Sequence, residues 1–108
     1  MNWKTDKNKT LVQAILSLKN EKEVSSFLRD LMTENEIEEF ATRLKTAEML
    51  FEQIPYSQIQ KETGFSSTTV ARVSKWLNNG EGGYISIINK LHHRNPTKLG
   101  KGLSLTQI

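Results

Sequence analysis

The sequence has no cysteine, two prolines and few aromatic residues, which make up 7% of its 108 residues. Without cysteine there are no disulfides, thiolate metal sites or cysteine nucleophiles, which fits a reducing compartment. Long apolar runs are also missing, so the sequence predicts no membrane span. No apolar segment of signal-peptide length follows the charged first ten residues, which predicts a cytoplasmic protein.

The net charge of +3 is unevenly distributed along the chain. Residues 1–20 carry a net +3, residues 21–55 a net −5 and residues 56–80 a net +2, while residues 82–108 hold four bases and no acid. Basic segments around an acidic one favour a polyanionic partner, because cationic side chains release counterions from phosphates. The same distribution is also compatible with a charge pattern that only keeps the protein soluble.

Apolar residues recur with the helical period, and no alternating run bounded by turn residues predicts a strand. The predicted fold class is all-α, with about six helices in one helical domain over residues 10–94. A flexible basic arm is expected over residues 1–9. A mobile basic tail is expected over residues 95–108, which are rich in glycine and polar residues.

The expected helices cover about residues 10–19, 21–32, 34–52, 57–63, 67–77 and 84–93. Thr33 and Glu36 fit a capping box, which predicts the start of the third helix, and Pro55 follows its end. The residues of the third helix that are expected to face inward are Ile37, Phe40, Ala41, Leu44, Ala47 and Leu50.

The two short helices beside Gly64 form a helix-turn-helix outline over about residues 57–77. Gly64 stands where the first helix must end with a positive φ, and Ser66 is placed to cap the second helix. The apolar residues expected to lock the two helices together are Ile59, Phe65, Val70, Val73 and Leu77. An ordinary helical hairpin in a bundle would share this outline.

The outward face of the second helix is short, polar and cationic, and no acid lies between Ser66 and Leu77. Such a helix fits the major groove of DNA, where its first residues meet base edges. Amphipathic stripes on the other helices offer more apolar surface than one small core absorbs, which predicts a dimer. The sequence therefore predicts a dimeric, sequence-specific DNA-binding regulator. A module that uses the helix-turn-helix to contact another protein is the alternative.

Residues for catalysis or metal binding are few. No nucleophile with a base and no glycine-rich phosphate loop stands in a matching context, so the sequence predicts neither an enzyme nor a cofactor. His92 and His93 suit the dipole of a helix end or a phosphate better than a metal, because adjacent side chains diverge by about 100°. Arg43 is either an ion-pair partner of a nearby glutamate or a ligand or interface residue.

The stretch from about Phe27 to Leu77 resembles the Trp repressor superfamily, in particular its small bacterial Trp-repressor-like regulators. Leu31–Glu36 is similar to the start of that family's third helix, Ala41–Leu44 to its Thr-Arg signature, and Gly64–Leu77 to its turn and reading helix. The resemblance implies an intertwined, all-helical homodimer that represses transcription from a palindromic operator. In the repressor itself, tryptophan is the corepressor.

The residues expected to contact DNA are Ser57, Ser66, Ser67, Thr68, Thr69, Ala71, Arg72 and Lys75. The resemblance implies a ligand pocket lined by Thr33, Arg43, Thr69, Arg72, Val73 and Trp76. Two of these depart from the family, because Val73 replaces a glycine that makes room for ligand and Trp76 replaces a small serine. We therefore expect the protein's own side chains to fill the pocket, and no control by free tryptophan.

Overall fold

A computed structural model describes residues 1–94, which contain six α-helices and no strand. The helices are α1 (Asp6–Leu16), α2 (Glu21–Leu31), α3 (Glu34–Phe51), α4 (Tyr56–Thr63), α5 (Ser67–Asn79) and α6 (Gly83–Arg94). The all-α prediction is therefore confirmed. The predicted tail, residues 95–108, lies outside the described residues.

The chain divides into two compact units. The first unit is Met1–Glu38 and the second begins at Glu39, so α3 contributes residues to both. The division follows burial along the chain, because α1 and α2 contain no buried residue, whereas the second half of α3 and all of α5 contribute to a core. A core therefore exists in only one of the two units.

Helix α1 begins earlier than predicted. The Thr5 side chain caps it by accepting the N–H of Asn8 at 3.3 Å, and the Asp6 carboxylate lies in the first turn, where the helix dipole favours a negative charge. Thr10, the predicted start, lies inside the helix and donates its hydroxyl to the carbonyl of Asp6 at 2.9 Å. Residues 6–9 of the predicted arm are thus helical, and α1 ends at Leu16 instead of Lys19.

The predicted capping box at the start of α3 is confirmed. The hydroxyl of Thr33 accepts the N–H of Glu36 at 3.1 Å, and the N–H of Thr33 donates to the Glu36 carboxylate at 2.9 Å. Asn20 caps α2 in a similar way by accepting the N–H of Glu23 at 2.9 Å. Local sequence therefore determines where the helices of the first unit begin.

The apolar stripes of α1 and α2 remain exposed. The exposed apolar residues of these two helices are Leu11, Val12, Ile15, Leu16, Val24 and Leu31. The side chain of Ile15, at the centre of the α1 stripe, is 51% exposed. Apolar side chains at this spacing normally face a core or a partner surface.

The core of the second unit consists of two clusters on either side of Leu50. The cluster between α3, α5 and α6 contains Ala47, Val73, Leu77 and Ile88, with Leu50, Phe51, Tyr84 and Ile85 packed against it. The cluster between α3, α4 and α5 contains Met49, Ile59 and Val70, with Leu50, Ile54 and Phe65 packed against it. Leu50 contacts both clusters, so the end of α3 supports both helices of the helix-turn-helix.

The predicted inward face of α3 is wrong over its first half. Phe40 and Ala41 are exposed and Leu44 is only half-buried, whereas Thr46 and Met49, which were not expected to face inward, are buried. The physical reason is that the core clusters on α4, α5 and α6 meet α3 only from Ala47 onward. The apolar stripe along the helix therefore continues beyond the core that covers it.

The connection from α3 to α4 is fixed by a left-handed residue, Gln53, with φ of 64°. Its N–H donates to the carbonyl of Leu50 at 2.9 Å, and the N–H of Ile54 donates to that of Met49 at 3.0 Å. This pair of hydrogen bonds is a Schellman motif, and Ile54 packs against the cluster that contains Met49. Pro55 then precedes α4 in extended conformation.

Candidate nucleic-acid interface

The turn between α4 and α5 is built from three short-range contacts. Gly64 adopts a left-handed conformation with φ of 79°, and its N–H donates to the carbonyl of Gln60 at 2.9 Å. The hydroxyl of Thr63 donates to the carbonyl of Ile59 at 2.7 Å and accepts the N–H of Phe65 at 3.2 Å. Gly64 is favoured here because a Cβ atom at positive φ would be strained. The predicted end of the first helix is confirmed.

The buried face of α5 holds this helix in a fixed orientation against α4. Val70, Val73 and Leu77 are buried, as predicted, and Val70 packs in one cluster with Ile59 of α4 and with Phe65 of the turn. A helix held through buried branched side chains has little freedom to rotate about its axis. The opposite face is therefore presented in a defined orientation.

That opposite face is polar and carries only positive charge. The exposed residues of α5 that were expected to contact DNA are Ser67, Thr68, Ala71, Arg72 and Lys75. Ser57 in the first turn of α4 is also exposed. α5 contains no acidic residue. The face therefore combines small polar side chains at the start of the helix with two cations farther along it.

Two other residues that were expected to contact DNA, Ser66 and Thr69, are hydrogen-bonded to each other. The hydroxyl of Ser66 accepts the N–H of Thr69 at 3.2 Å, and the two hydroxyl oxygens are 3.1 Å apart. Thr69 is half-buried, whereas Ser66 is exposed. Their hydroxyls thus stabilise the first turn of α5, so the side chains most free to reach outward there are those of Ser67 and Thr68.

A small recess lies beside α5, and it brings together most residues of the expected ligand pocket. It has a volume of about 100 Å³ and is lined by Arg43, Thr69, Arg72, Val73, Trp76 and Tyr84. Tyr84, from α6, was not predicted, because nothing in its local sequence indicates which helix it approaches. Thr33 belongs to the first unit, where its side chain caps α3.

Arg43 is bound within its own helix. Its guanidinium lies 2.5 Å from the Glu39 carboxylate, one turn earlier, and 5.2 Å from the centre of the Phe40 ring. The ion pair and the cation–π contact both hold the charge at the rim of the recess. Of the alternatives for Arg43, the structure contains the ion pair.

Sequence reasoning missed the burial of His92. Its side chain is 7% exposed, its ring meets that of Phe51 edge to face at 5.7 Å, and its Nε2 atom has no hydrogen-bond partner within the described residues. His93 beside it is exposed. Within residues 1–94, no group of three or more histidine, aspartate or glutamate side chains is arranged to hold a metal.

No helix among residues 1–94 combines the length and the apolar character required to cross a membrane. The structure contains a helix-turn-helix, which consists of the short α4, the left-handed Gly64 and the capped α5. The family model for the Trp repressor protein matches residues 6–92. The chain therefore belongs to the Trp repressor family.

Two known proteins are similar over most of the chain. The uncharacterized protein YerC of Bacillus subtilis strain 168 is 42% identical over 81 residues, which are 75% of this chain and 78% of YerC. The crystal structure of a TrpR-like protein from Eubacterium eligens ATCC 27750 superposes with a TM-score of 0.78 at 40% identity, over 82% of this chain and 92% of that one.

Proposed function

We propose that this protein is a sequence-specific DNA-binding transcriptional regulator. It acts as a homodimer that binds a palindromic operator and represses transcription. Free tryptophan does not control it. The observation that carries this proposal is the outward face of α5, which has an uncharged start at Ser67 and Thr68, cations at Arg72 and Lys75, and no acid. Short polar side chains suit contact with base edges, and the cations suit the phosphate backbone.

The exposed apolar stripes support the homodimer. Ile15 and Leu16 on α1 and Leu31 on α2 are each more than half exposed, although their spacing is that of a buried helix face. A homodimer would bury these stripes against a second copy. In a helix-turn-helix dimer that binds a palindrome, the two reading helices lie about 34 Å apart, which is one turn of B-DNA.

The size of the recess supports independence from tryptophan. Small-molecule pockets usually enclose about 300–1,000 Å³, whereas the recess beside α5 has about 100 Å³. Val73 and Trp76 line it, and these are the two bulky departures from the family pattern. Calorimetric titration of the protein with L-tryptophan tests this part of the proposal, and sub-millimolar binding would contradict it.

A charge placed on the exposed start of α5 tests the DNA-binding face. Thr68→Glu should lower operator affinity by at least about tenfold, because the carboxylate would face phosphates and electronegative base edges without a partner. Fluorescence anisotropy with a labelled operator duplex measures the effect, and circular dichroism checks that the helices are retained.

The matched control is Ser86→Glu. Ser86 is an exposed small hydroxyl residue on α6, so this variant adds the same charge outside the helix-turn-helix. It should bind the operator as the unaltered chain does. Equal affinities for Thr68→Glu and the unaltered chain would mean that another surface meets DNA.

Salt dependence separates this proposal from a helix-turn-helix that contacts a protein. For about six phosphate contacts, DNA affinity should fall by about 10³ between 50 and 200 mM salt, because binding releases condensed counterions. An apolar protein interface would change little over the same range. If the affinity of the tightest complex that the protein forms does not change with salt, a protein partner is favoured over DNA.

A further inference from the structure

The first two turns of α5 present only short side chains to solvent. Ser67, Thr68 and Ala71 are exposed there, and the first long side chain of the helix is that of Arg72. Thr68 and Ala71 are three residues apart, so their Cβ atoms are about 5–6 Å apart on one face. Val70, between them in sequence, is fully buried in the core. The exposed pair therefore faces away from the core.

This surface lacks the side chains that most often identify a purine. Arginine and lysine bind guanine, and asparagine and glutamine bind adenine, through hydrogen bonds in the major groove. None of these four residue types occurs between Ser66 and Ala71. Side-chain contacts between the start of α5 and the bases must therefore be made by hydroxyl and methyl groups.

Two of the four hydroxyl groups between Ser66 and Thr69 are bonded to each other. The Ser66 and Thr69 oxygens are 3.1 Å apart, and the Ser66 oxygen also accepts the N–H of Thr69 at 3.2 Å. Ala71 has no hydroxyl group, so its side chain can offer a base only a methyl group. Thr68 adds a second methyl group one turn earlier on the same face. The two methyl groups form an apolar patch within a polar surface.

The major groove contains one apolar group that suits such a patch. Among the four bases of DNA, only thymine carries a methyl group on its major-groove edge, at C5, and alanine and the methyl group of threonine are side-chain groups that contact it. Short side chains also allow the helix to approach the base edges closely, because no longer side chain lies between them. The exposed start of α5 therefore matches thymine better than any other base.

We propose that Thr68 and Ala71 recognise thymine through its methyl group. Each operator half-site then requires thymine at one or two neighbouring base pairs, because the two residues are about 4.5 Å apart along the helix axis and stacked bases are about 3.4 Å apart. Arg72 and Lys75, the exposed cations farther along α5, remain available for the phosphate backbone. This inference rests on the proposed function and specifies the base that the DNA-binding face selects.

The test removes only the methyl group of thymine. Deoxyuridine pairs as thymidine does but lacks this methyl group, and it is placed at one position at a time in a palindrome selected from random duplexes. At the proposed position, operator affinity should fall about fourfold for one half-site and about 15-fold for both, because one buried methyl contact is lost in each. Fluorescence anisotropy with the full chain measures both values.

Cytosine provides the converse experiment. Replacing the proposed thymine–adenine pair by cytosine–guanine removes the methyl group and also exchanges hydrogen-bonding groups, whereas 5-methylcytosine returns the methyl group alone. The duplex with 5-methylcytosine should therefore bind at least about threefold more tightly than the duplex with cytosine. Equal affinities of these two duplexes would contradict a methyl contact.

Thr68→Ser removes one methyl group from the protein and keeps the hydroxyl group. The loss that deoxyuridine causes at one position should then shrink from about fourfold to below about twofold, because the contact has already been removed from the other side. If the Thr68 hydroxyl were the group that recognises the base, the loss would not change. Thr10→Ser is the matched control, because Thr10 is an exposed threonine of α1 in the first unit. It should leave both the operator affinity and the deoxyuridine loss unchanged.

Ala71→Gly makes the corresponding change at the second methyl group. Deoxyuridine at the neighbouring position should then cost less than about twofold in affinity. Circular dichroism checks that α5 is retained, since glycine weakens a helix. If Ala71→Gly does not fold, Thr68→Ser and the deoxyuridine series with the unaltered chain decide the question.

Failure of this inference differs from failure of the proposed function. If no sequence is enriched from the random duplexes, the proposed function fails and thymine recognition fails with it. If a palindrome is enriched but deoxyuridine leaves its affinity unchanged at every thymine, the proposed function stands and thymine recognition is wrong. The same conclusion follows if Thr68→Ser and Ala71→Gly show the full deoxyuridine loss of the unaltered chain.

Discussion

The two units of the chain carry the same amphipathic helical pattern but differ in what they bury. In the second unit, Ile59 of α4 and three apolar residues of α5 pack with α3 and are buried, and Ile59 and Val70 are fully buried. In the first unit, α1 and α2 have apolar stripes of similar spacing, yet neither helix contains a buried residue. A periodic stripe therefore indicates that a helix face will be covered, but not by which surface.

The two units therefore differ in how they are stabilised. The second unit has its own core and can hold α5 in place with contacts made within one chain. The first unit offers an apolar surface that becomes useful only when another surface covers it, which fits the dimer proposed above. Two pairs of substitutions test this contrast, and a third pair tests the turn that leads into α4.

The largest effect is expected in the core of the second unit. Ile59→Ala should lower the free energy of unfolding by about 2–5 kcal/mol, because it leaves a cavity between α3, α4 and α5 that the clusters cannot refill. Urea denaturation of dilute protein measures the change. Ile15→Ala on α1 is the comparison, and under the same conditions its cost should be well below that of Ile59→Ala. Equal costs would mean that the first unit has a core of its own.

A charge in the exposed stripe of α1 should act on assembly. Ile15→Glu should raise the dimer dissociation constant by at least about tenfold, because the dimer would have to bury an unpaired carboxylate. Sedimentation velocity over a dilution series measures it. Gln13→Glu adds the same charge to an exposed polar position of the same helix and should leave assembly unchanged. Identical dissociation constants for the two variants would place the dimer contact elsewhere.

The smallest effect is expected at the Schellman motif before α4. Gln53→Gly should raise the free energy of unfolding by about 1 kcal/mol, because glycine adopts the φ of 64° without a Cβ penalty. Thermal denaturation would show this as a modest rise in Tm. Gln58→Gly, in the regular helix α4, should have the opposite sign. A fall in Tm for Gln53→Gly would mean that its side chain contributes more than its backbone strain costs.

Local signals in the sequence determined the parts of the fold that were predicted well. Gly64 requires a left-handed turn, Ser66 caps the next helix, and Thr33 forms its capping box with Glu36, all through contacts within a few residues. Val70 and Ile59 were identified as core because the helix-turn-helix places them at fixed spacing. Such contacts depend little on the rest of the chain.

One error concerned a helix start, because the Thr5 side chain caps α1 and the predicted start, Thr10, lies inside the helix. The other errors arose where several helices decide the outcome together. Phe40 continues the apolar stripe of α3, but the core does not extend to it. Tyr84 enters the recess through tertiary packing alone, which no local pattern in one sequence can indicate.

In the proposed function, α5 reads specific DNA sequences from a two-fold symmetric dimer. Selection of bound sequences from a pool of random duplexes tests it most directly, with the full chain at about 100 mM salt. We expect an enriched palindrome whose half-sites are centred about one helical turn apart. A pool that stays random after repeated rounds, although the protein is folded and retains DNA, would contradict it.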